Sequence, residues 1–156
     1  MKKLFTSLFI TISLVFGCHN APCNAMAESD APVSYYEYYN NGCYAIITIN
    51  IDYSNTSKST ISGSKTYEYT DSSNQLLWSY TVYGTYSYNG SSATCTYDDD
   101  SYDIKDDNWH INSHSHYRSG NTAYGNATMK KKVLGITFDT VTANITLSCS
   151  PNGTLY

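Results

Sequence analysis

Leu76-Leu77-Trp78-Ser79-Tyr80-Thr81-Val82-Tyr83-Gly84-Thr85-Tyr86-Ser87-Tyr88 is the stretch that decides the fold class. Trp78, Tyr80, Val82, Gly84, Tyr86 and Tyr88 alternate with Ser79, Thr81, Thr85 and Ser87, and Tyr83 is the exception. A repeat of two puts the first set on one face and the second on the other, the mark of a half-buried strand. Asn89-Gly90 follows at once. That dipeptide predicts a tight type I′ hairpin, whose two central residues both need φ > 0. Ser91–Tyr97 then returns as a second strand.

The same strand-and-turn reading extends outward in both directions. Cys43–Tyr53 alternates well, Asn55-Thr56-Ser57 interrupts it, and Ser59–Thr70 follows with Gly63 as a candidate bulge. Asp71-Ser72-Ser73-Asn74 reads as a turn. Beyond an acidic loop at Asp98–Asn108 come Trp109–Arg118, a turn at Gly120-Asn121, Thr122–Leu134, a bend at Gly135 and Ile136–Ser148. No segment sustains a period near 3.6. The expected fold is all-β, a single antiparallel sandwich or barrel of about seven strands. Composition agrees: the chain has 17 tyrosines and only 14% charged residues, and its Tyr/Thr/Ser bias favours strands. So many aromatics supply enough surface to bury a core.

The N-terminus reads as an export signal. Met1-Lys2-Lys3 is a basic start and Leu4–Phe16 a mostly apolar run, too short to span a bilayer, which takes roughly 20 residues. Ala25-Met26-Ala27 is an A-x-A cleavage site that would release a secreted, extracellular chain from Glu28. The alternative is a lipobox at Val15-Phe16-Gly17-Cys18, with Cys18 carrying a lipid anchor at the cell surface. The expected organisation is a signal peptide over 1–27, a mobile Tyr-rich segment over 28–42 and a β domain over 43–156. Residues 28–156 hold all 13 acids but seven of the nine Lys and Arg, Lys2 and Lys3 being lost, a balance of −6. That charge disfavours nucleic acid as a partner. The expected partners are a host or bacterial surface protein or a glycan, and no transmembrane span is expected.

In an exported chain, inward-facing cysteines are disulfide candidates. Cys149 continues the face of Val141, Ala143, Ile145 and Leu147, while Cys95 shares parity with Ala93 and Tyr97, so Cys95–Cys149 is the expected pair. Cys43, on the face of Ala45, Ile47, Ile49 and Ile51, is expected as a small buried hydrophobe.

Three sets of residues are candidate sites. Asp98, Asp100, Asp103 and Asp106 offer hard oxygens for Ca²⁺, although the glycine and the terminal Glu of an EF-type loop are missing and a solvated acidic loop with no cofactor is the plain reading. His110, His114 and His116 share parity on one strand and would line one face, where alternate histidines can bind Zn²⁺ or Cu²⁺. That face is a wet one because Trp109 and Ile111 take the other, and no Cys or Glu completes the set, so plain surface histidines are the expectation. Tyr35, Tyr36, Tyr38, Tyr39, Tyr83 and Tyr102 could stack sugars, as aromatics do in β-sandwich carbohydrate-binding modules. No catalytic residue is assigned: there is no G-x-S-x-G, no H-E-x-x-H and no phosphate-cradling glycine loop. The functional expectation is a secreted, non-catalytic binding or surface protein. A calcium-dependent or carbohydrate-binding module is the alternative, and a small hydrolase comes last.

The stretch Trp78–Cys95 resembles a family of small secreted β-rich proteins of unknown function from clostridia-like Gram-positive gut bacteria. Ser119-Gly120-Asn121-Thr122-Ala123, Lys132-Val133-Leu134-Gly135-Ile136-Thr137 and Leu147–Leu155 resemble its later blocks, so the likeness runs over roughly 46–156. It implies export and the β fold, and it carries no activity or site residues.

Overall fold

A computed structural model of the chain describes residues 32–57 and 59–156. The stretch read as an export signal, with Ala27 and Cys18, lies outside the described residues. Eight strands form among those described: β1 Val33–Tyr38, β2 Tyr44–Ser57, β3 Thr60–Thr70, β4 Leu76–Tyr88, β5 Ala93–Ile104, β6 Trp109–Ser119, β7 Thr122–Val133 and β8 Ile136–Ser148. They make a five-stranded sheet, β1-β2-β3-β4-β5, and a three-stranded sheet, β6-β7-β8. Every pairing is antiparallel between chain neighbours, and only the β5–β6 step changes sheet. The fold is therefore an all-β sandwich, with one strand more than expected. The extra strand is β1, which pairs Tyr35 with Ile47 and Glu37 with Ala45 where a Tyr-rich segment ahead of the sheet was expected.

The core is aromatic because the alternating faces of β3 and β4 are. Trp78, Tyr80, Val82 and Tyr86 are fully buried, as the repeat of two predicts. The Trp78 ring stacks on Tyr67 and Tyr69, at centroid distances of 5.4 and 5.2 Å, and Trp109 meets Tyr69 edge-on at 5.5 Å. From the other sheet, Met129, Ala143, Ile145 and Leu147 close the core. On the outer face of β3 and β4, hydroxyls pair across the strands: Thr66 with Thr81 at 3.0 Å and Ser62 with Thr85 at 2.9 Å. Buried Lys65 donates from Nζ to the Thr146 carbonyl of β8 at 3.1 Å. A lysine on an edge strand's carbonyl discourages further strand pairing there.

Turn chemistry departs from expectation. Asn89-Gly90 is not a two-residue I′ turn: the loop runs over 89–92, and only Gly90 of the pair has positive φ, 84°. The Asn89 side chain turns the chain instead, its Oδ1 accepting from the N–H groups of Ser91 at 3.0 Å and Ser92 at 2.9 Å. The I′ pattern sits at Leu134-Gly135, with φ of 51° and 81° between paired Val133 and Ile136.

Two bulges decide which residues meet. In β5, Tyr86 pairs with Cys95 but Thr85 pairs with Tyr97, so Thr96 is extra. In β6, Ile111 pairs with Met129 but Ser113 with Thr128, so Asn112 is extra. Each extra residue reverses parity for the rest of its strand. Tyr97 is therefore exposed while Asp98 and Asp100 turn toward the opposite sheet; in β6, His114 and His116 turn inward opposite Ala127 and Gly125.

Candidate binding groove and carboxylate–histidine seam

β5 and β6 are edge strands of different sheets, and no backbone ladder joins them. Side chains close this side of the sandwich. His116 Nδ1 donates to Asp98 Oδ2 at 2.8 Å, Arg118 Nη1 donates to Asp98 Oδ1 at 2.7 Å, and His114 Nδ1 lies 2.8 Å from Asp100 Oδ2. The Asp98 and Asp100 side chains are only 6% and 5% exposed. Beneath them the Tyr80 hydroxyl lies 2.9 Å from Asp100 Oδ2 and 3.1 Å from the Ser115 carbonyl, one proton between two acceptors. It reaches there because Gly125 has no Cβ: one added would fall 2.7 Å from the Tyr80 hydroxyl.

The electrostatics follow from these contacts. Burial pushes the Asp98 carboxyl up, but its hydrogen bonds with His116 and Arg118 outweigh that and hold it below its ordinary value. The hydrogen bond to Asp98 raises the His116 imidazole, partly opposed by burial and aided by the charges of Asp100, Asp98 and Asp99.

The sequence-based sites are redistributed accordingly. The calcium set does not converge, because Asp98–Ile104 continues β5 as extended strand and is not a loop. Asp103 pairs with Lys105 at 2.7 Å, and Asp106 holds the next turn through the N–H of Asn108 at 3.0 Å. The three histidines do not share a face either: the Asn112 bulge leaves His110 opposite Lys130 on the outer side. A different group forms. Asp99, Asp100 and His116 bring one ligand atom each within 4.8 Å of one another. His116 Nε2 lies 3.9 Å from both Asp99 Oδ1 and Asp100 Oδ1, while its Nδ1 is braced by Asp98. A carboxylate behind a ligating histidine fixes its tautomer and aim, so these three residues could hold a divalent ion.

On the outer face of the five-stranded sheet lies a groove of about 430 Å³. Its floor is Ser62, Ser64, Thr85 and the directly paired Gly63 and Gly84; Asn50, Asp52 and Asp99 border it, and Tyr83 and Tyr97 stand over it. Tyr83 is 41% and Tyr97 54% exposed, and the Tyr97 hydroxyl donates to Asp99 Oδ2 at 3.0 Å. Of the six tyrosines read as sugar-stacking, only Tyr83 lines this groove. Tyr36 and Tyr38 cluster with Tyr44 on β1–β2, Tyr35 lies by Lys65, Tyr39 bonds Tyr67 through the hydroxyls, and Tyr102 faces His114. Tyr97 was assigned inward with Cys95, and only the Thr96 bulge turns it out.

The expected Cys95–Cys149 disulfide is absent. Both residues are buried with free thiols, as inward parity requires, but each sulfur is turned to a local carbonyl: Cys95 Sγ to Tyr97 O at 3.2 Å and Cys149 Sγ to Ser150 O at 3.3 Å. Burial raises both thiols above their ordinary pKa. Cys43 is a half-buried free thiol packed against the core. Among the described residues no helix is long and apolar enough to cross a membrane. Comparison with protein-family models, with curated protein sequences and with solved structures finds no match to this chain.

Proposed function

We propose that this chain is an exported, non-catalytic β domain that binds carbohydrate in the outer groove of its five-stranded sheet. The observation that carries the reading is the pairing of Tyr83 and Tyr97 over a floor of Ser62, Ser64 and Thr85 hydroxyls. A sugar presents an apolar C–H face and a polar rim, and exposed aromatic rings beside fixed hydroxyl, amide and carboxylate groups complement both. The test is a glycan array followed by calorimetry on Tyr83→Ala and Tyr97→Ala. Each variant is expected to weaken binding about two- to tenfold, the scale of one lost aromatic contact; an array without signal, or variants that bind as the parent does, would sink the reading.

A second reading, an ion-dependent module, is favoured by the Asp99/Asp100/His116 group, since Asp99 also borders the groove. The imidazole suits Mn²⁺ or Zn²⁺ better than Ca²⁺. Here Mn²⁺ or Zn²⁺ raises the melting temperature of the chelator-treated protein and leaves that of His116→Ala unmoved; an equal response in both proteins counts against it.

A further inference from the structure

The β7–β8 hairpin carries an apolar tip that nothing among the described residues covers. β6 begins at Trp109 opposite Lys131, so residues 132–138 run on without a third strand. Leu134 is 97% exposed, Phe138 65%, Ile136 62% and Val133 39%. Phe138 is the extra residue of a bulge, since Lys131 pairs with Asp139 and Lys132 with Thr137. Four large apolar side chains thus project together from one two-stranded ribbon, where isolated exposed hydrophobics would be unremarked.

The charges beside the tip select the partner. Lys130, Lys131 and Lys132 are three of the seven basic residues in 28–156, and none is ion-paired among the described residues. The carboxylates at this end are Asp139, which accepts from the Thr140 N–H at 2.7 Å and from Asn41 Nδ2 at 3.4 Å, Asp106, which accepts from Asn108, and exposed Asp107. None of them is paired with a tip lysine among the described residues. A convex apolar tip with a lysine collar matches an anionic bilayer surface, where the apolar groups enter the acyl boundary and the ammonium groups meet the lipid charge. The rest of the domain is acidic and repelled by such a surface, which would orient the molecule tip-first.

We propose that this hairpin is a membrane-docking element, inserting Leu134, Ile136 and Phe138 into the interface of an anionic lipid bilayer. It is independent of the groove: the hairpin leaves the sandwich at the end where β4 begins and β5 finishes, away from Thr85 and Tyr97.

The experiment places a reporter at the tip of the full chain, Leu134→Trp, and titrates it with phosphatidylcholine vesicles with and without phosphatidylserine. The apolar run at 4–16 can itself bind vesicles, so the reading is the emission of the reporter at position 134, above the constant background of buried Trp78 and Trp109. The expected result is a blue shift with phosphatidylserine vesicles, with affinity falling about fivefold per lysine when Lys130, Lys131 and Lys132 become Gln. A reporter that stays in water on anionic vesicles overturns the proposal. So does an equal shift on neutral vesicles untouched by the lysine changes, or a shift that appears without lipid through self-association of the tip.

Discussion

Gly125 shows how much one absent side chain can position. A Cβ there would fall 2.1 Å from Val82 Cγ2 as well as against the Tyr80 hydroxyl. Backbone and core would both have to shift, the overpacking case. Gly125→Ala is expected to destabilise by about 1–3 kcal/mol in denaturant unfolding. It should also displace Tyr80 from Asp100, which the His114 imidazole resonances would register. Gly84 is a second close approach, with the Tyr86 ring lying across its α-carbon. Both glycines stand in the sequence as unremarkable strand residues; Gly125 is needed by a ring from the opposite sheet, which only packing brings there, and Gly84 by the ring two residues further along its own strand.

At the scale of elements, two single-residue bulges and one strained turn set the surface chemistry. Deleting Asn112 removes the one residue of β6 without a partner on β7 and keeps His114 and His116 opposite Ala127 and Gly125, whereas His116→Ala takes the imidazole off buried Asp98. The seam of that variant loses the charge-assisted hydrogen bond from His116 to Asp98. A loss of about 1–3 kcal/mol is expected in thermal or denaturant unfolding, from a buried carboxylate left with Arg118 alone. His110→Ala, which breaks none of these contacts, should stay within about 0.5 kcal/mol of the parent. In the β7–β8 turn, Leu134 holds φ of 51°, a conformation that Asn adopts far more readily. Leu134→Asn should therefore stabilise the isolated protein by about 0.5–1 kcal/mol while removing the most exposed apolar side chain of the tip. A variant that is both less stable and no less lipid-bound would contradict both statements.

For the whole molecule, an aromatic core makes alkali the informative stress. Burial raises Tyr67, Tyr69, Tyr80 and Tyr86 well above their ordinary value of 10, and hydrogen bonds add to it: Tyr39 for Tyr67, Cys43 for Tyr69, Asp100 for Tyr80. A folded-state pKa above the unfolded one means that the unfolded chain releases the proton first. The stabilisation is complete below pH 10 and is lost as pH rises from there toward the folded values. Tyrosinate absorbance from these four residues should therefore appear together with the loss of near-ultraviolet circular dichroism. Absorbance that runs ahead of unfolding would show the rings to be accessible.

Much of this architecture was readable from Leu76–Tyr88 and its neighbours, because a repeat of two and a turn residue are local properties of the chain. Alternation alone placed Trp78, Tyr80, Val82 and Tyr86 in a core and set the all-β class. It also put Cys95 and Cys149 inward, yet it could not say that each thiol would turn to a carbonyl one or two residues along the chain. A bulge is a relation between two strands, so Thr96 and Asn112 looked like ordinary members of their strands. Each reverses the parity beyond it, and the acidic and histidine stretches, separate in sequence, became one seam. The all-β class and the inward faces of β3 and β4 were determined by the chain's own patterning. Which carboxylate meets which imidazole, and which tyrosines share a groove, was decided only when the two sheets packed.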